Sequence, residues 1–338
     1  ETLTIDGDLN LSGNLSAGDI DIQGDTTLIG DANLTSESVS CLSSLQINLG
    51  GTVDGAHALT VNGTTDCNGE IGGTTPLASL TTEGGDTSLG GNVTTTGNQK
   101  FGSDVTLTGD TKFVSGNLFD LSGLVGGGYN VEIDAGSAAI DAETYGVSGV
   151  ADLTVPGDVG LNGTIATTGN QSYGGDVGLL GNTTLTATSG AISLGTGGEV
   201  IGVIHTLTLG DATQTGDVTL GGASEEVTLG GLNIGAGAFD LSIEAGDNVA
   251  VTINSPVEVL NNGTLTLTSN VSDSSSVIAF TGGLNATEPS SIGLAAIVGT
   301  DNSSINLGNV TYTGSGSGDN TFAVLTTGDF LLGENFTG

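Results

Sequence analysis

The sequence predicts an all-β protein, a parallel β-solenoid of about 14–17 coils at roughly 20–24 residues per coil. Three observations predict it. The segment 95–111, TTGNQKFGSDVTLTGDT, returns as 167–183, TTGNQSYGGDVGLLGNT, with glycines, an aromatic, an aspartate and two apolar positions in step. Short units repeated in this way cannot bury a core alone and must stack on one another. Apolar and polar residues alternate over three to five positions between Gly-Asp and Gly-Asn pairs, which is the pattern of short strands and tight corners. Finally, 61 Gly with abundant Thr and Val leave helix propensity poor throughout.

The opening stretch sets the pattern. Leu3-Thr4-Ile5, Leu9-Asn10-Leu11, Ile20-Asp21-Ile22 and Thr27-Leu28-Ile29 read as strands. Gly7-Asp8, Gly18-Asp19, Gly24-Asp25 and Gly30-Asp31 read as the corners, where glycine is expected to supply positive φ. Residues 36–48 depart from this grammar and hold Cys41. The pattern resumes at Val105-Thr106-Leu107. Residues 114–150, with Gly126-Gly127-Gly128-Tyr129 and Ala138-Ala139-Ile140, are expected to form an irregular insertion. Val218-Thr219-Leu220, Val227-Thr228-Leu229, Val251-Thr252-Ile253 and Leu265-Thr266-Leu267 continue the strands, so that 1–310 reads as one solenoid. Residues 311–338 combine a flexible Gly314–Gly318 run with an apolar tail, Phe322, Val324, Leu325, Phe330, Leu331 and Leu332. The tail reads either as a cap over the last coil or as a strand donated to a neighbour. An array of small β-sandwiches is the runner-up, and the absence of Pro- or Ser-rich linkers between domains speaks against it.

Composition narrows the function. Four Pro and fewer than one Gly in three exclude collagen, and 36% hydrophobic residues in regular alternation argue against disorder. The formal net charge is −36, with 38 acidic residues against Lys100 and Lys112 and no arginine. Phosphate neutralisation needs cations, so nucleic acid is not an expected partner, and neither is an anionic membrane surface. No apolar run reaches the roughly 18 residues of a membrane span. The acidity reads either as a solvated surface or as Ca²⁺ binding between neighbouring Asp-bearing turns, although no EF-hand or nonapeptide calcium array is present. The metal ligands, if any, are unknown at this level.

Cys41 and Cys67 fall about one coil apart, which makes a disulfide feasible and an extracellular setting the natural one; the alternative is two buried thiols. His57 and His205 are the only histidines and no CxxC spacing exists, which disfavours a Cys-His metal site. The chain begins at Glu1 with no charged leader and reads as a processed product or as a segment of a longer one. Asn-x-Ser/Thr sequons at Asn33, Asn62, Asn92, Asn162, Asn182, Asn262, Asn285 and Asn309 are candidate glycan acceptors on exposed turns.

The blocks GNQKFGSDVTL from Gly97 and GNQSYGGDV from Gly169, followed by TTLTATSGAISL from Thr183, resemble the repeats of large bacterial surface proteins of the filamentous-haemagglutinin type. That resemblance covers 90–240. It implies a right-handed parallel β-helix, exported across the outer membrane and displayed outside the cell. The secretion domain that such proteins carry at their N-terminus is not recognisable here.

Catalytic chemistry is sparse. There is no Arg to hold an acidic polymer, no Trp to stack on sugars, no nucleophile elbow around a serine and no phosphate-binding fingerprint near Gly126. Aspartates sit in Gly-Asp corners, where turn formation accounts for them. The expectation is a non-enzymatic extracellular structural protein at the cell surface, with no cofactor. Its partner is itself, polymerising head to tail through Leu3, Ile5 and the apolar tail. The alternative is a stalk or binding module of a large adhesin that recognises a host or surface ligand.

Overall fold

The computed structural model describes residues 1–36, 46–222, 226–245, 250–255, 257–259, 264–269, 277–287, 293–298, 304–307, 310–313, 321–326, 329–331 and 336–337. Among them every regular element is a strand, and the strands pair in parallel as a β-solenoid. The chain divides into two compact units, Glu1–Leu153 and Thr154–Gly338. No linker composition marks that boundary in the sequence.

In the first unit a column of Cα partners runs Leu9, Thr26, Val53, Ile71, Val93, Phe113 and Ile133, one residue from each turn. In the second a column runs Val159, Val177, Val200, Val227, Val251, Ile278 and Ile305, all buried. β-Branched residues suit this position because both faces of a parallel ladder restrict χ1 and reward a filled, pleated surface. Each such side chain contributes about 1.5–3 kcal/mol on burial. Stacked corner partners lie from 17 residues apart (Asp8 and Asp25) to 28 (Ile253 and Thr281), a wider spread than the even coil the sequence suggests.

The corner glycines work differently from the expectation. None of Gly7, Gly18, Gly24 and Gly30 adopts positive φ. Gly18, Gly24 and Gly51 are required because successive turns stack backbone on backbone: a Cβ on Gly24 would lie 2.5 Å from the Gly7 carbonyl carbon, one on Gly51 2.7 Å from that of Gly24, and one on Gly18 2.8 Å from the Glu1 backbone, whereas one on Gly7 would meet nothing within 4 Å. The same stacking joins Gly175 to Gly157 in the second unit, at 2.5 Å.

Residues 114–150, expected as an irregular insertion, carry parts of two long paired strands, Thr111–Val125 and Val131–Val150. The irregularity takes the form of register shifts between Ser115 and Leu118 and between Leu121 and Gly123. Inside, Phe101, Phe113 and Phe119 form a buried cluster with centroids 5.0–5.9 Å apart. The tail strands pair in parallel with the preceding turn. Thr321–Thr326 pairs with Gly293–Val298, Asp329–Leu331 with Ser304–Asn306, and Phe336–Thr337 with Val310–Thr313. The side chains of Phe322, Val324, Leu325, Phe330 and Leu331, like all of Leu332, lie outside the described part of the structure.

Buried polar groups recur with the repeat. Gln99 Nε2 donates to the carbonyls of Val93 and Val114 and to Thr95 Oγ1. In the second copy Gln171 Nε2 donates to Ile165, Thr186 and Thr167 Oγ1 in the same way. Thr95 and Thr167 in turn donate to the carbonyls of Gly97 and Gly169. A corner carbonyl that faces the core is thereby satisfied from within.

Candidate functional site

Among the described residues, a set of aspartates at or beside the corners has a structural role. Asp25 Oδ1 accepts from the Thr52 backbone N–H at 2.8 Å, and the Asp25 N–H donates to Asp8 Oδ1 at 3.1 Å. Asp110, Asn130 and Asp152 repeat the arrangement in one row, and Asp158, Asp176 and Glu199 in another. Asn92, Asn98, Asn170 and Asn182 accept from next-turn amides in the same manner. Asp and Asn are therefore interchangeable as ladder acceptors, and only Asp adds charge.

The strands that place Leu3 and Ile5 are paired on one side only. Thr2–Ile5 pairs with Asp19–Ile22, and Leu9–Ala17 pairs with Thr26–Ser36. Leu3, Ile5, Leu9 and Leu15 are half-buried, whereas Ile20, Ile22, Thr26 and Leu34, their partners one turn on, are buried, as is Leu11. Among the described residues no further strand pairs with this edge, and its aliphatic side chains are only half-buried.

On the outer surface of the first unit, Asp19, Ile20, Asp21, Gln46, Asn48 and Asp66 line an open, polar cleft of about 470 Å³. Asp21, Asn48 and Asp66 are successive partners in one column. Asn48 Nδ2 donates to Asp21 Oδ1 at 2.7 Å, and Gln46 Nε2 bonds Asp66. Thr2 Oγ1 and the Gln46 amide take the two oxygens of Asp19. Amide donors thus separate the carboxylates in the stack. Among the described residues no group of three or more His, Cys, Asp or Glu side chains gathers as a metal site. His57 Nδ1 lies 3.8 Å from Asp31 Oδ1, and His205 is half-buried in the second unit.

Cys67 is a free, buried thiol between Leu49 and Leu89 in an inward column. Burial, with Asp66 beside it, pushes its pKa up to about 12. Cys41 lies outside the described residues. Both lysines are paired across turns: Lys100 with Glu83 at 2.9 Å, and Lys112 with Glu132 at 2.7 Å and Asp134 at 3.4 Å. Of the sequon asparagines, Asn62 is exposed at a strand end, and Asn33 and Asn162 are half-buried. Asn92 and Asn285 spend their Nδ2 groups on Glu70 and Glu258, and Asn182 is exposed. Asn262 and Asn309 lie outside the described residues.

Sequence reasoning did not anticipate an exposed aliphatic strip in the second unit: Leu180, Ile201, Val203 and Ile204. The run Val200-Ile201-Gly202-Val203-Ile204 lies within the strand Val200–Leu209, and the register shift between Gly202 and Thr206 leaves Val203 and Ile204 facing solvent. Among the described residues no helix is long and apolar enough to cross a membrane. No family model, curated protein or solved structure matches the chain.

Proposed function

We propose that the chain is a non-enzymatic, extracellular structural protein that polymerises head to tail into a cell-surface filament. The observation that carries this reading is the first turn, with its one-sided pairing and half-buried Leu3, Ile5, Leu9 and Leu15. A further parallel turn laid on that edge would satisfy its backbone and cover its aliphatic groups at once. The last turn of another copy has the required strand direction, and a head-to-tail contact of this kind propagates without closing. The likeness of 90–240 to surface-protein repeats, the acidic surface and the candidate glycan acceptors accord with display outside the cell.

The same edge would suit a preceding turn of a longer chain, in which case these residues are the stalk or binding module of an adhesin. Electron microscopy of the purified protein, across Ca²⁺ concentration and pH, separates the two. Filaments with an axial repeat of one molecule support the polymer. Single particles under every condition overturn it and leave the stalk.

A further inference from the structure

We infer that the outer face around Leu180, Ile201, Val203 and Ile204 is a docking surface for a basic, aliphatic-bearing segment of another protein. Ile204 is 83% exposed, Leu180 57% and Val203 54%, in a chain whose other aliphatic side chains mostly fill inward columns. Clustered exposure of this kind, rimmed by polar groups, marks interaction surfaces.

The face has shape as well as polarity. Gly160, Gly178, Ile201 and Thr228 are successive outward partners on the strands. Leu180 leans over Gly160, where a Cβ would meet its Cδ1 at 2.8 Å. Above Gly178 nothing lies within 4 Å of the Cβ position. A bare glycine floor therefore sits between Leu180 on one side and Ile201 on the other.

Charge identifies the occupant. Asp158, Asp176, Glu199 and Glu226 each stand two residues before one of those outward positions, roughly 7 Å along the strand. The first three are tied turn to turn by side-chain hydrogen bonds, and Val200 N–H donates to the Glu226 carbonyl, so the four stack in one row beside the strip. A segment that alternates aliphatic and cationic residues matches both features. A second copy of this chain does not: it has no arginine, and Lys100 and Lys112 are already paired with Glu83, Glu132 and Asp134. Bringing two such faces together would oppose two acidic rows.

The test measures binding of synthetic peptides to the full chain by fluorescence anisotropy. One peptide alternates Lys with Leu, the other Lys with Ser, at equal length and charge. The Lys-Leu peptide is expected to bind tighter, on the order of tenfold or more. The double variant Val203→Ser, Ile204→Ser should abolish that difference, while Ile29→Ser, at an exposed aliphatic of the first unit, should leave it intact. Both positions are solvent-facing, so folding is unaffected, which circular dichroism checks. Equal affinity of the two peptides, or loss of the difference in Ile29→Ser alone, overturns the proposal. So does a doubling of mass in the ultracentrifuge that Ile204→Ser removes, because the face would then be a self-contact.

Discussion

Tyr173 donates its hydroxyl to Gln171 Oε1 at 3.0 Å, deep in the second unit. At the matching place in the earlier repeat Phe101 stands where Tyr173 stands, and Gln99 Oε1 is buried with no partner. One hydroxyl separates a completed network from an incomplete one. Removing it with Tyr173→Phe should cost about 1–3 kcal/mol, the penalty of a buried acceptor left unpaired. Phe101→Tyr should recover about 1 kcal/mol. Urea unfolding of both variants against the parent measures this. A Phe101→Tyr chain that is less stable would mean that packing against Phe113 and Phe119 outweighs the new bond.

Asp104 gives a pH signature. Its carboxyl is held above the usual range, first by burial and then by the nearby charge of Asp86, and its Oδ1 has no hydrogen-bond partner. The folded chain therefore holds this proton to higher pH than the unfolded chain does. Stability from this group is lost as pH rises from the unfolded value of 3.8 through the folded one, and is regained on acidification. Asp104→Asn should raise the melting temperature at pH 7 and lose that advantage at pH 3. A variant that gains equally at both pH values would place the effect elsewhere.

At the corners, the acceptor matters and the charge does not. Asp176→Asn keeps the bond to the Glu199 amide and should be neutral or slightly stabilising in a chain of net charge −36. Asp176→Ala frees that amide and should cost about 1 kcal/mol. Thermal unfolding at low and high salt distinguishes them: Asp176→Ala should fall below Asp176→Asn at every salt concentration, because both lack the charge and only the acceptor differs, whereas salt should narrow the gap between the parent and Asp176→Asn.

The Cys67 thiol should be inert to thiol reagents in the native chain at pH 8, because it is buried and its pKa lies near 12. Labelling should appear only on unfolding. In denaturant without reductant Cys67 should take a label, and a chain that takes none would contradict the free thiol. Rapid native labelling would contradict the buried position.

Trypsin has two sites, Lys100 and Lys112, both within strands and both ion-paired. The folded chain should resist it, and the unfolded chain should yield three fragments. Hydrogen bonding to Glu83 and to Glu132, respectively, is the first cause that raises each lysine's pKa. Stability from these pairs is thus complete below 10.5 and is lost as pH rises through the raised folded values. Resistance should weaken only in that alkaline window; cleavage of the native chain at pH 8 would show that these strands open locally.

The fold was legible because two signals agree: period-two alternation and a repeated block that cannot bury its core alone. The Gly-Asp corners were legible as corners, but their reason was not. Sequence shows which residues follow one another along the chain, whereas the need for Gly24 comes from Gly7 on the neighbouring turn. Gln99 and Gln171 stand in the repeat for any reader to see, yet a polar residue opening a short strand gives no sign that it points inward. The outward placement of Ile201 to Ile204 was not legible either, since it depends on the register shift between Gly202 and Thr206 against the next turn, which no local pattern announces.

The corner ladder has a direction. In every described case of an Asp or Asn bonding a backbone amide on another turn, the side-chain acceptor belongs to the earlier turn and the N–H to the later one. Each turn thus holds out its side-chain acceptors toward the turn that follows it in the chain, which gives the stack of corners a chemical polarity.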